Sequence, residues 1–500
     1  MTSKQVKPKR VGERADVCLL LEGTYPYVRG GVSSWTHDII KQQSDLTFHV
    51  VCLLSGEPPA TMQFELPPNV LSVTDVRLRA MPNKYGSPAR NVMEQLQPDL
   101  LKISHNQAEF KDFQHLMHVV HSAKHHLSEE YLLNSPDAWE VLESMYKERY
   151  STSSMLDYFW SWRSLFGGMF SVLLCNLPPA NLYHTICTGY AGLLAARAKI
   201  EMDVPVLISE HGIYTNERRV EIASADWLEE TSSSQLTIDV LKSDLRDLWI
   251  DAFANYSRIC YQACDKIITL FAGNQHAQIE DGADVQKMDI IPNGVDTARF
   301  SALPKRAHDV PTIAMIGRVV PIKDVKSFIR ACAIMRESLG DLKAYIMGNT
   351  EEDPDYAMEC KELVDHLLLD KVITFTGAVR IDDYLPDIDV VVFTSVSEAQ
   401  PLVILEAGAA GIPVVSTFVG ACSEMIYGTH DETPALGAGG AIVPLSNPSA
   451  VARETVRLLT DAAYYQSCAN AMKERVQRYY TSELQHAHYK QLYHSYLRRA

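Results

Sequence analysis

Short apolar runs alternate with amphipathic stretches along most of this chain. The run ADVCLLLEG, near the start, ends in glycine as a strand buried on both faces would. VSSWTHDIIKQ follows with helical spacing, Ser33 or Ser34 being placed to cap it, and LTFHVVCLL reads as the next strand. From about 97 to 177 the strand signal fades, and a segment rich in histidine and aromatics predicts a helical insertion. Alternation resumes with the strand NLYHTICTG, the helix YAGLLAARAKI and the strand VPVLISEHG. A helical stretch from about Leu236 to Cys264, the strand DKIITLF, a helix near NQHAQIE and the segment KMDIIPNGVD complete this half. The polar, proline-bearing RFSALPKRAHDVP predicts a linker at about 300–311. A second series then places strands at TIAMIGRVV, LKAYIMG, KVITFTG, DVVVFTS, PVVSTF and GGAIVPL, with helices between them. From Pro448 the pattern is mainly helical.

Strands separated by helices imply parallel sheets covered on both faces, an α/β architecture. Two such series predict two Rossmann-like domains facing each other across a cleft. The first takes residues 1–305 with the insertion at about 97–177, and the second takes 306–475. A C-terminal helix over 476–500 is expected to pack back on the first domain. In open sheets of this kind ligands bind beyond the carboxyl ends of the strands.

Composition narrows the function classes. The net charge of −16 argues against a general affinity for nucleic acid or anionic lipid, while leaving room for a local basic pocket. The ten cysteines are scattered without zinc-like spacing, and several sit in apolar runs, which predicts free thiols in a reducing, cytoplasmic setting. The basic segment MTSKQVKPKR lacks the apolar stretch of a signal peptide. SLFGGMFSVLLCNL, the longest apolar stretch, is too short to span a bilayer and predicts a core helix.

Four segments at predicted strand ends carry candidate chemistry. EAQPLVILEA places Glu398 at the tip of the strand DVVVFTS and Glu406 about one and a half turns into the next helix. Pro401 falls near the first turn, so the amides of Leu402 and Val403 are available, with the positive end of the helix dipole, to a phosphate or sugar hydroxyl. One elongated polyhydroxyl ligand could use both carboxylates. In IGRVVPIKD, Arg318 and Lys323 follow a strand of the same series, a fork and a point charge suited to a diphosphate. In GTYPYVRGGVSSW, Gly30 and Gly31 lie in the first strand-to-helix turn, where bare backbone lets amides approach a ligand; the spacing is not that of a dinucleotide fingerprint. His211 in ISEHGIY follows a strand of the first series, although a lone histidine there is commonly structural. IPNGVD reads as a tight turn shaping the domain border. Asp387 and Asp389 lead straight into a strand and are not read as metal ligands.

Together these segments resemble the retaining glycosyltransferases of family 4, which have the GT-B fold. EAQPLVILEA matches the E-x7-E signature and GRVVPIKD the G-R-x4-K segment, with RGGV, EHG and IPNGVD in the expected order. The resemblance covers nearly the whole chain. It implies that Arg318 and Lys323 hold the diphosphate of a UDP-sugar, that Glu406 binds the ribose and that Glu398 binds the transferred sugar. It further implies that Gly30 and Gly31 bring amides to the diphosphate, that His211 meets the donor sugar near the scissile bond and that Arg380, after TFTGAV, meets the nucleobase. Metal-independent transfer of a hexosyl unit, from UDP-glucose by resemblance, to a growing exopolysaccharide is the implied reaction, with inner-membrane synthesis proteins as partners and no cofactor beyond the donor. A UDP-sugar epimerase and a non-catalytic nucleotide-sugar-binding scaffold are the rival readings. One departure stands out: Ala399 occupies a position where the family commonly has glycine, which bears on the local backbone.

Overall fold

A computed structural model describes residues 12–78, 91–123, 127–223 and 245–498. The segment MTSKQVKPKR and the expected helical start at Leu236 lie outside the described residues. The chain divides into two compact units. One takes the chain up to Thr269, Gln275–Ile290 and the end from Tyr489; the other takes Leu270–Asn274 and Ile291–His488.

The first unit is built on seven strands: β1 Ala15–Glu22, β2 Phe48–Leu54, β3 Val70–Arg77, β4 Ala180–Thr185, β5 Val206–Glu210, β6 Lys266–Thr269 and β7 Met288–Ile290. Their order is β3-β2-β1-β4-β5-β6-β7, and every pairing is parallel. β2 is buried at every position, as its unbroken apolar sequence requires. β3 has no counterpart among the apolar runs of the sequence. VLSVTDVR interleaves polar residues because this strand lies at the sheet edge, with several residues part-exposed.

Helices fill the insertion between β3 and β4, from Val92–Ser104 to Met155–Leu174. Ser128 and Ser135 cap two of them by accepting hydrogen bonds from the amides of Tyr131 and Ala138. Trp162, Phe166 and Phe170 of Met155–Leu174 are fully buried in the core they share with Tyr190–Met202 and Leu245–Ala263. No helix among the described residues is long and apolar enough to cross a membrane. The cap expected at Ser33 or Ser34 is instead Gly30: the helix Gly31–Gln42 begins earlier, so Ser33 lies buried inside it.

The second unit has six parallel strands: β8 Thr312–Ile316, β9 Lys343–Met347, β10 Ile373–Gly377, β11 Val390–Phe393, β12 Val414–Thr417 and β13 Gly440–Val443. Their order is β10-β9-β8-β11-β12-β13. Both sheets thus have the doubly wound, Rossmann-like arrangement of a GT-B fold. The segment from Ile291 belongs to this unit: Val295 and Phe300 are buried in its core, and Val295 pairs with Thr481. None of the ten cysteines forms a disulfide.

A buried ion pair ties down the loop before β13. Arg475, 1% exposed, donates to both carboxylate oxygens of Glu432 at 2.6 and 2.9 Å and to the carbonyls of Ile426 and Gly437. Glu432→Leu strands the guanidinium in the core and is expected to cost about 3–5 kcal/mol, measured by urea unfolding.

Candidate active site

In the second unit the strand order reverses between β8 and β11, the place where a doubly wound sheet opens a crevice for ligands. The loops leaving these two strands carry the predicted cations and Glu398, and hydrogen bonds join them. Thr394 Oγ1 donates to the carbonyls of Lys323 and Asp324, both at 3.0 Å, and the Val396 amide donates to the Ile322 carbonyl at 2.9 Å. Lys323 ends the turn Pro321–Lys323, its ammonium 5.5 Å from the centre of the Phe393 ring and ion-paired with Glu398. Arg318 is more exposed and pairs with Glu352 from the loop after β9. The structure therefore brings Arg318, Lys323 and Glu398 to one sheet edge and gives each cation a carboxylate.

Two glycines fix this arrangement. A Cβ on Gly348 would sit 1.9 Å from the Gly317 carbonyl oxygen, so the β9 loop can lie against the Gly317–Arg318 backbone only as glycine. Gly420, at φ +48°, would place a Cβ 2.1 and 2.2 Å from the carbonyls of Glu398 and Ala399. The Ala421 amide then donates to the Ala399 carbonyl at 2.7 Å. Ala399 itself has no left-handed φ, so its methyl group is accommodated without strain.

The helix Leu402–Ala409 starts after Pro401, with Leu402 and Val403 half-buried against the apolar core. Gln400, just before it, is buried and accepts from the Asn293 amide at 2.6 Å; Asn293 belongs to IPNGVD, which here braces the site loop. Burial pushes the Glu406 carboxyl up, Arg299 pulls it down and Asp382 pushes it up. Arg299 is clamped on Asp382 through two nitrogens. Arg380 is largely exposed, 4.0 Å from Asp382.

In the first unit Gly30 and Gly31 are exposed, and a Cβ on either would meet nothing within 4 Å. Neither packing nor a left-handed φ demands glycine there. His211, just past β5, lies edge-on to Trp35 with ring centres 4.6 Å apart. Burial lowers its pKa to about 4, so the ring is neutral near pH 7. Beside it His184 shares hydrogen bonds with Ser209 and Tyr493 at 2.9 and 2.8 Å, and Tyr489 donates to Ser209 at 2.9 Å. At the end of β1, Glu22 accepts from Tyr214, Cys187 and the Ala191 amide. Glu210 accepts from Tyr261, Gln278 and the Tyr214 amide, and burial pushes it up to about 7.

Comparison with known proteins matches residues 15–286 to the family described as Domain of unknown function (DUF3492) and residues 310–461 to Glycosyl transferases group 1. The chain belongs to the DUF3492-bearing group 1 glycosyltransferases. These are GT4-type enzymes, a retaining family. A D-inositol 3-phosphate glycosyltransferase of Pseudarthrobacter chlorophenolicus is 33% identical over 171 residues, 32% of this chain and 40% of that protein. One from Kineococcus radiotolerans is 29% identical over 226 residues, 40% of this chain and 51% of that protein. The glycosyltransferase thus spans about half or less of the length of these curated relatives. Sucrose-phosphate synthase from Thermosynechococcus elongatus shares its fold at a TM-score of 0.58 and 16% identity, over 97% of this chain and 100% of that one. HepE from Anabaena, in complex with UDP-glucose, does so at 0.54 and 14%, over 96% and 99%.

Sequence reasoning missed several residues that contact the candidate ones. Glu352 was visible as an acidic run after the strand LKAYIMG, and Arg299 as a cation next to IPNGVD. Nothing in the sequence signalled that Gln400 would be buried under Asn293, a contact 107 positions apart.

Glu210 gives a pH test of the first unit. Its folded pKa lies above the ordinary value, so the folded state holds a proton that the unfolded state releases. Stability should fall as pH rises from about 4.5 to about 7 and then level off. Glu210→Gln, with the Gln278 amide free to turn its unpartnered Oε1 inward, should flatten that fall in unfolding experiments across the range.

Proposed function

We propose that this glycosyltransferase moves a hexosyl unit from a UDP-sugar, UDP-glucose foremost, to a growing exopolysaccharide with retention at the anomeric carbon. The observation that carries the reading is the Lys323–Glu398 pair at the strand-order reversal, with Arg318 on the same edge. A diphosphate arriving there exchanges carboxylate partners for phosphate oxygens, and Glu398, released from Lys323, turns to hydroxyls of the transferred sugar. Glu406 takes the ribose hydroxyls and Arg380 the base. The amides of Leu402 and Val403 add the helix-end dipole, and Gly30 and Gly31 present bare backbone to the same class of ligand. His211, neutral, meets a sugar hydroxyl.

The leaving group is a nucleoside diphosphate whose growing negative charge falls to Arg318, Lys323 and the helix end, so the reading is metal-independent. A double displacement needs a carboxylate nucleophile beneath the sugar. Glu398 is committed to hydroxyls, which favours departure and attack on one face, with the donor phosphate accepting the acceptor's proton. The UDP-glucose bound by HepE supports the choice of donor. GTYPYVRGGVSSW and the helical insertion further resemble PelF, the glycosyltransferase of bacterial Pel exopolysaccharide synthesis, which makes Pel the acceptor and inner-membrane Pel proteins the partners.

Calorimetry with UDP, UDP-sugars and ADP-sugars tests the donor: UDP compounds should bind and ADP compounds should not. Arg318→Ala and Lys323→Ala should each lower the transfer rate by about 10²–10³-fold. Unchanged rates in both would refute the leaving-group assignment.

A further inference from the structure

Glu398 lies in the loop 394–401, between β11 and the helix Leu402–Ala409. Consecutive carbonyls of this loop are taken by different segments. The Ala421 amide donates to the Ala399 carbonyl at 2.7 Å, and Asn293 Nδ2 donates to the Gln400 carbonyl at 3.4 Å. The Gln400 side chain adds a shorter bond, its Oε1 accepting from the Asn293 amide at 2.6 Å. Gln400 and Asn293 are only 6% and 8% exposed, so breaking these bonds leaves buried polar atoms unpaired.

Asn293 is itself fixed. Gln485 Nε2 donates to its Oδ1 at 3.4 Å. Two residues on, the Val295 amide donates to the Tyr480 carbonyl and the Ser482 amide to the Val295 carbonyl, both at 2.9 Å. A Cβ on Gly294 would lie 2.4 Å from the Thr481 carbonyl oxygen, so glycine is what lets the two segments pair this closely. They lie near the two ends of Ile291–His488, the long stretch of the second unit. The Glu398 loop is thus anchored, through Gln400, to a pair of segments that carry none of the candidate ligand-binding residues.

The anchor matters because the Glu398 side chain has a tether of its own, Lys323. While that ion pair stands, carboxylate and backbone are both held. On the glycosyl-transfer reading a donor opens the pair, and the place of Glu398 then depends on the bonds made by Ala399 and Gln400. We propose that Gln400 is a positioning residue, holding the Glu398 backbone through Asn293 so that the freed carboxylate meets hydroxyls of the transferred sugar. The inference rests on the glycosyl-transfer reading and adds to it the residue that sets Glu398 in place.

Gln400→Met keeps the length of the side chain and removes its acceptor. Calorimetry with UDP and UDP-glucose on the wild type, Gln400→Met, Glu398→Gln and the double variant reads the coupling. The quantity of interest is the ratio of UDP-glucose to UDP affinity, which cancels any effect on the nucleotide. Gln400→Met is expected to lower this ratio about two- to tenfold, the net worth of one hydrogen bond, and to lower it no further once Glu398 is glutamine. An unchanged ratio would overturn the proposal, and so would losses that add in full. If Gln400→Met does not fold, Asn293→Ala replaces it in the cycle: it deletes the bond to the Gln400 carbonyl, and an unchanged ratio again overturns the proposal. A Glu398→Gln protein with the wild-type ratio also overturns it, since Gln400 then has nothing to act through. A wild type that binds no UDP refutes the glycosyl-transfer reading, and this inference falls with it.

Discussion

The strand-order reversal of the second unit is organised by one ion pair, Lys323 with Glu398, and by the backbone that brings its two halves together. The residues are 75 positions apart and leave different strands. Thr394 joins their loops by sharing its one hydroxyl proton between consecutive carbonyls, while Gly348 and Gly420 let neighbouring loops close in from both sides. A lysine and a glutamate held this way, little exposed, stabilise each other without a ligand. The pair keeps its charges balanced at this sheet edge.

The first unit solves a different problem. Its strand ends carry polar groups that burial would penalise, and it satisfies most of them internally. Glu22 and Glu210 each accept three hydrogen bonds, and His184 is held at both nitrogens. Satisfaction is not complete: the indole of Trp35, the outer nitrogen of His211 and Gln278 Oε1 are among its buried polar atoms without a hydrogen-bond partner among the described residues.

Much of this was legible in the sequence. Unbroken apolar runs announced the central strands because burial on both faces leaves no polar position, and β3 escaped for the converse reason, being an edge. Glu398 and the two cations were legible because each lies in a loop that follows a strand, and Glu406 because it lies in the helix after one; doubly wound sheets gather strand ends along one edge. Their partners were not. Glu352, Asp382 and Gln400 meet them through tertiary proximity, to which local periodicity is blind. Gly420 had no visible purpose until the backbone of Glu398 was seen pressed against it. Arg380 was legible as a cation after a strand, but its exposure leaves it less fixed than Arg299, which the sequence reading ignored.

Tyr489 and Tyr493, near the end of the chain, supply the hydroxyls that complete the bonding of Ser209 and His184. The first unit is therefore discontinuous: a ribosome makes its strands early and its closing aromatics last. Until those final turns emerge, the nascent sheet carries a buried histidine with one nitrogen unanswered and an uncovered apolar surface, so this half matures only once translation has passed through the other.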